Sequence, residues 1–406
     1  MDTTSNNDQP GNALPLLLTP MTIRGVTLKN RIVVSPMCQY ASDDGSPVDW
    51  HLVHLGKMAI GGAGIVFGEE TAVEARGRKT YQCAGLWSDH QIAAYRRVTD
   101  FIKTHGAVPA IQLGHSGRKG SCHGAIRDWA ALTDEDAASG YAPWVNIKPS
   151  TLPNEPLWPK TKEMDHDDIR VVLANWRDSI LRAVDAGFQI LEIHGAHGFL
   201  IHQFLSPITN HRTDGYGGSR EGRMRFAVEV ATMARAAWPK ELPLFFRVSA
   251  VDGKGGAWNL DDTVALSHAL KQVGVDVIDC SSGGIPGHSD MPIVRRIPGY
   301  QVPFADRIKR EVGIATMAVG LITQAAQAET ILRDGRADLI ALGRELIWNP
   351  NWPVHAAKEL IGEKAYELLP VKYAHRLIRR DVVGRLPINK TGGPSTPEDD
   401  ALTEKT

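Results

Sequence analysis

Eight short, near-continuous apolar runs alternating with helix-patterned stretches predict an α/β chain folded as a single-domain (β/α)8 TIM barrel. An N-terminal hairpin and a long capping loop after the third strand complete the expectation. The runs lie at 31–35, 64–68, 108–113, 189–194, 244–249, 275–280, 315–319 and 338–342. Strands without a polar face belong to a parallel sheet covered by helices. Helix stripes lie between them: Ile169, Leu173, Trp176, Ile180 and Val184 keep a 4-3-4-4 spacing, and Phe226, Val230, Met233 and Ala237 keep 4-3-4. From 31 to 344 the unit recurs about every 39 residues with no linker inside it, which favours one closed barrel over two halves. The alternative, an open doubly wound sheet, wants G-x-G-x-x-G after its first strand, where S-P-M-C stands instead.

Taken in order, residues 1–20 read as an extension, and 23–28 as a small hairpin that could plug the barrel bottom. Gly187, Gly274 and Gly335 end helices in a conformation that glycine favours, each shortly before a strand. Asp165 with Asp168, and Thr323, supply N-cap chemistry where helices start. The barrel is expected over 21–375, with a capping insertion at about 114–165 that carries Trp129, Trp144 and Trp158. A long tryptophan-bearing loop at one strand end is more often a lid than a linker. Residues 376–406 form the tail, and from about 390 its composition is that of a disordered end.

Composition narrows the function classes. Lys+Arg 45 against Asp+Glu 46 leaves a net charge of -1, with no footprint for a nucleic acid or an anionic membrane. The expected partners are therefore small molecules. Cys38, Cys83, Cys122 and Cys280 make no C-x-x-C pair, so no zinc ribbon, iron–sulfur cluster or disulfide scaffold is expected. No signal peptide or membrane span is legible, and the cytoplasm is the expected compartment.

In this architecture function sits at the C-terminal strand ends. Those positions hold Ser35, Pro36, Met37, Cys38 and Tyr40, then Glu69-Glu70-Thr71, Gln112, Glu192-x-His194-x-x-His197 and Arg247. Glycines follow the last three strands, with Gly320, Gly343 and Arg344 at the seventh and eighth. Helix caps would explain isolated glycines; three successive strand ends and one arginine favour a phosphate cradle. His194 and His197 could be a metal pair or core histidines. A metal site needs a third ligand and the usual H-x-H after the first strand is missing, so no metal is expected. Two imidazoles after one strand read better as donors that polarise a carbonyl, nitro or phenolate oxygen.

These residues resemble the old yellow enzyme family, FMN-dependent NAD(P)H:enone oxidoreductases. The resemblance is carried by N-R-I-V-V-S-P-M-C-Q-Y at 30–40, I-Q-L-G-H-S-G-R-K-G at 111–120 and E-I-H-G-A-H-G-F-L-I-H-Q-F-L-S-P at 192–207, with N-H-R-T-D-G-Y-G-G-S-R at 210–220 and A-L-G-R-E-L-I at 341–347. The Cys-x-Tyr after the first strand is similar to the thermophilic-like and xenobiotic reductase class. The resemblance implies non-covalent FMN held by Ser35, Pro36, Met37, Cys38, Gln112, Arg247, Gly320, Gly343 and Arg344, with Glu70 at a position next to the flavin. It implies that Gln112 bonds the pyrimidine edge, that Arg247 sits near N1 and O2, and that Cys38 tunes the potential. His194 and His197 would hold the substrate oxygen, with Tyr40 completing the pocket. It implies ping-pong transfer of a hydride from NAD(P)H through FMN to an activated C=C bond, in a homodimer or homotetramer. An FMN oxidase or specialised reductase of a cyclic or aromatic substrate is the alternative, and a flavin-binding protein without turnover a third.

Two positions depart from the family. Phe199 stands where relatives carry a proton-donating tyrosine, so the proton must come from elsewhere, with Tyr40 or water as candidates. Glu70 stands where relatives often carry a small residue; it is either a solvated loop carboxylate or, pointing inward, an acid or base beside the flavin. Residues 372–376 resemble only loosely the Q-Y-x-R that reaches into a neighbouring subunit in relatives.

Overall fold

The computed structural model describes residues 14–124, 127–151, 160–252, 257–285 and 294–383. Twelve strands are seen among them. Met21–Ile23 (β1) and Val26–Leu28 (β2) form the antiparallel hairpin. The barrel strands are Ile32–Val34 (β3), Ile65–Ala72 (β4), Val108–Gly114 (β5), Ile190–Gly195 (β8), Leu244–Ser249 (β9), Val277–Ser281 (β10), Ala315–Ala318 (β11) and Leu339–Leu342 (β12). They close in chain order into one parallel barrel, with β12 pairing β3. Between β5 and β8 a two-stranded parallel ribbon of Asn146–Lys148 (β6) and Thr161–Glu163 (β7) belongs to the capping insertion.

Each buried strand sends alternate residues to two different cores. One set, including Val33, Phe67, Ala110, Ile190, Phe245, Val277 and Met317, fills the barrel interior. Ile23, Val26 and Leu28 of the hairpin join that interior cluster. The hairpin is fastened by Arg24, whose Nε lies 2.7 Å from Asp276, and by the Gly25 amide donating to the Glu241 carbonyl at 2.8 Å. The other set meets the helices, where Trp176 and Phe226 are fully buried. Trp176→Ala is expected to cost about 3–5 kcal/mol, read as a lower urea midpoint with an unchanged slope.

The joints follow the sequence reading in most places. Gly187, Gly274 and Gly335 have φ of 83°, 96° and 70°. Asp165 caps the helix His166–Asp185 by accepting from the Asp168 amide at 2.8 Å. Thr323 is a correction: the helix Ala325–Arg333 is entered through Gln324, and the Thr323 amide donates to the Gln327 side chain instead. The second barrel strand is another. It runs to Ala72, not Gly68, so Glu69, Glu70 and Thr71 are strand residues.

The capping insertion lies against the barrel mouth. Trp129 meets Tyr40 edge-on at 5.2 Å between ring centroids, and the Trp144 indole N–H donates to the Arg76 carbonyl at 3.0 Å. Trp158 and the segment from about 390 lie outside the described residues.

Candidate active site

Above the apolar interior layer, the inward positions of the barrel strands turn polar. Gln112, Glu192, His194, Arg247, Asp279 and Ser281 all lie here, and all are buried. Gln112 Nε2 donates to Glu192 Oε1 at 2.7 Å, and Arg247 Nε lies 3.0 Å from Asp279 Oδ2. One guanidinium thus stands against two buried carboxyls. Burial, and then the charge of Asp279, push the Glu192 carboxyl well above the usual range; burial also raises Asp279, opposed by Arg247. Both carboxyls are thus biased toward the neutral form by burial, with the Arg247 charge opposing that bias.

Glu70 joins this layer through a backbone irregularity. Phe67 is inward and pairs with Ala110, and simple alternation would turn Glu69 inward next. A register shift between Phe67 and Glu70 brings Glu70 opposite Gln112 instead. Glu69 consequently faces outward, where Oε1 meets His51 Nε2 at 2.9 Å and Oε2 accepts from the Gln39 amide at 2.9 Å. Both Glu70 oxygens are buried without a hydrogen-bond partner, and burial pushes the carboxyl up to about 8.

The histidines occupy the end of β8 and the turn beyond it, with ring centroids 5.2 Å apart. His197 adopts φ 58°, a strained conformation for a non-glycine residue. Three contacts hold it: its amide donates to Ser249 Oγ at 2.9 Å, its Nε2 lies 2.7 Å from Ser281 Oγ, and its carbonyl accepts from Lys119 Nζ at 2.6 Å. Gly284 is glycine because a Cβ there would collide with the His197 backbone. The His194 ring packs edge-on against Phe199 at 4.8 Å, and its Nδ1 has no partner. Burial, then the charge of Arg247, holds both imidazoles well below the usual histidine range. They are neutral at neutral pH.

Eight of the predicted residues line two cavities, while Cys38, Glu70, Gln112, His194 and His197 are in the lining of neither. Ser35, Pro36, Met37, Arg247, Gly320, Gly343 and Arg344 line one cavity of about 510 Å³, together with Ser281, Tyr300 and Gln301. Tyr40 lies apart from it, lining a second cavity of about 580 Å³ with Tyr81, Cys122 and residues of the capping insertion. Cys38 lies near Glu70 and Tyr40, and burial, then Glu69 and Glu70, push its thiol well up, so it is protonated. The sequence reading missed Lys79, whose Nζ stands 3.6 Å over the Trp129 ring, and Lys119, which burial pushes down to about 7. It also missed the role of Asp279, although an acid inside the apolar run V-I-D-C was a visible signal. Among the described residues no group of histidines, cysteines or carboxylates is arranged to hold a metal.

Residues 16–363 match the model of the NADH:flavin oxidoreductase / NADH oxidase family. The chain belongs to that family. Relatives of this NADH:flavin oxidoreductase include the NADPH dehydrogenase of Geobacillus sp. (strain WCH70), 45% identical over 85% of this chain and 94% of its own. The NADPH dehydrogenase of Bacillus subtilis (strain 168) is 42% identical over 86% and 96%. The old yellow enzyme homologue from Zymomonas mobilis shares the fold, with a TM-score of 0.67 at 23% identity over 95% of this chain and 98% of its own. The chain is thus an oxidoreductase of the old yellow enzyme class, whose cofactors are FMN and NAD(P)H. The site fits a flavin: a cavity with glycines on its rim, and the buried Nδ1 of His194, which the protein leaves without a hydrogen bond.

Proposed function

We propose that this oxidoreductase reduces activated C=C bonds, in α,β-unsaturated carbonyl or nitro compounds, with NAD(P)H as hydride source in a ping-pong cycle. The observation that carries the reading is the pair of neutral imidazoles, His194 buried and His197 half-buried, beside the flavin-sized cavity. Ser35, Pro36, Met37, Cys38, Glu70, Gln112, Arg247, Gly320, Gly343 and Arg344 would hold FMN. Bound FMN supplies a hydride store between the two substrates. His194 and His197 donate N–H groups to the substrate oxygen, lowering the barrier as negative charge develops there. Because the rings are already neutral and held in place, they polarise that oxygen without reorganising. Tyr40, with Trp129 packed on it, would close the pocket and exclude water. Phe199 cannot donate a proton, which leaves Tyr40 or solvent to protonate the substrate carbon.

Phe199 and Glu70 together support a second reading, oxidation or specialised reduction of a cyclic or aromatic substrate. A cytoplasmic homodimer or homotetramer is the proposed setting. The test is optical. The purified protein is expected to be yellow, anaerobic NADPH or NADH to bleach it, and 2-cyclohexenone to restore the colour. Bleaching without recovery would replace the alkene by another acceptor; a colourless protein that takes up no FMN would overturn the assignment.

A further inference from the structure

The carboxyl of Glu70, like that of the Arg247-paired Asp279, has both oxygens buried and neither hydrogen-bonded by the protein. Buried polar atoms without partners are few in folded proteins and point to a ligand or a functional proton. The surroundings are shaped for this side chain. A Cβ on Gly114, two residues beyond Gln112 on β5, would collide with the Glu70 carboxyl, so any other residue at 114 would displace it. The register shift in β4 sets Glu70 opposite Gln112 on the inner wall. Two local departures, a bulge and a missing side chain, thus present one carboxyl to the cavity layer that Gln112 and Arg247 share.

We propose that Glu70 is the proton-holding residue of the flavin site: its neutral carboxyl donates a hydrogen bond to bound FMN, and its ionisation withdraws that bond. The inference rests on the FMN-site reading above. A neutral acid beside a group that gains negative charge on reduction stabilises the reduced form, whereas a carboxylate there repels it.

The groups around Glu70 favour assigning this titration to it. From the loop after β3 come Cys38 and Tyr40, both pushed well up by burial and therefore neutral. Lys79 and Cys83 follow β4; the Lys79 charge opposes the rise at Glu70, and burial pushes Cys83 up to about 12. Tyr95, on the helix Ile92–Thr104, is likewise raised by burial. Glu69, on the same strand, is turned away and paired with His51. On the β5 side Gln112 and Gly114 do not titrate, and His115 is paired with Glu74 at 2.8 Å. Lys119, beside His197, changes charge in a nearby range, so the comparison of variants decides.

The experiment uses FMN-loaded wild type, Glu70→Gln and Glu70→Leu. Midpoint potential and flavin absorbance are followed from pH 6 to 10, and an infrared difference spectrum is recorded between oxidised and reduced protein. Wild type is expected to show a break near pH 8 in the potential and a protonated-carboxyl band that shifts on reduction. Glu70→Gln keeps a donor and is expected to lose the break and the band while retaining the neutral-pH potential. Glu70→Leu is expected to disfavour the reduced flavin at pH 7 by about tenfold, which is roughly 30 mV for a two-electron couple. A wild-type profile matching Glu70→Gln in both break and band would overturn the proposal, as would an unchanged potential in Glu70→Leu. Failure of wild type to bind FMN would instead overturn the site reading on which it rests.

Discussion

Replacing His194 and His197 together with alanine is expected to lower kcat/KM for 2-cyclohexenone by about 10³-fold, with FMN retained. Removing a single hydrogen-bond donor aimed at a developing oxyanion costs about 10²–10³ in rate. His194 is buried, and the half-buried His197 is fixed by Ser249, Ser281 and Lys119, so no nearby side chain inherits the role without rearranging the turn after β8. The double variant should also lose the long-wavelength absorbance that phenols produce by stacking on the flavin. An intact band would show that the oxygen is held elsewhere. Because burial and Arg247 hold both imidazoles well below the usual range, phenol binding should be flat on the acid side of neutrality. A rise in affinity on acidification through pH 6 would mean that an imidazolium is the donor.

The largest loss of stability is expected from Arg247→Met. The guanidinium is the positive charge facing Asp279 and Glu192 inside the barrel, and removing one partner of a buried ion pair costs about 3–5 kcal/mol. The sign of the pH dependence follows. Without Arg247 the Asp279 carboxyl titrates far above its unfolded value, so the folded state is least penalised where that carboxyl is protonated. The deficit should be smaller at pH 5 than at pH 8 and should grow as the pH rises. Urea melts at the two pH values, with Arg247→Met/Asp279→Asn as the compensating variant, measure it; equal deficits at both pH values would show that lost packing, not unpaired charge, is responsible.

Much of the barrel was legible because burial on both faces leaves a plain sequence mark. The runs at 108–113 and 244–249 need no alternation to be recognised, and the glycines at 187, 274 and 335 mark the joints. The family signatures made the candidate site legible as a set of residues. What escaped was orientation. Periodicity assigns Glu69 and Glu70 to opposite faces but cannot say which is inward, because the register shift after Phe67 reverses the phase. Helix entry was read one residue early at Thr323, since Gln324 precedes the helix without the side-chain cap that sequence reasoning looks for. Asp279 stands out in its apolar run, but its pairing with Arg247 is not legible in the sequence because the two come from different strands.

The hairpin at the barrel floor carries a consequence for traffic. Ile23, Val26 and Leu28 stopper one end with side chains continuous with the interior packing, and Arg24 bolts the stopper to Asp276. Among the described residues, a barrel corked in this way is closed to its polar layer from the hairpin end. Under the ping-pong cycle proposed above, the hydride donor would have to leave by the end framed by the capping insertion before the acceptor enters.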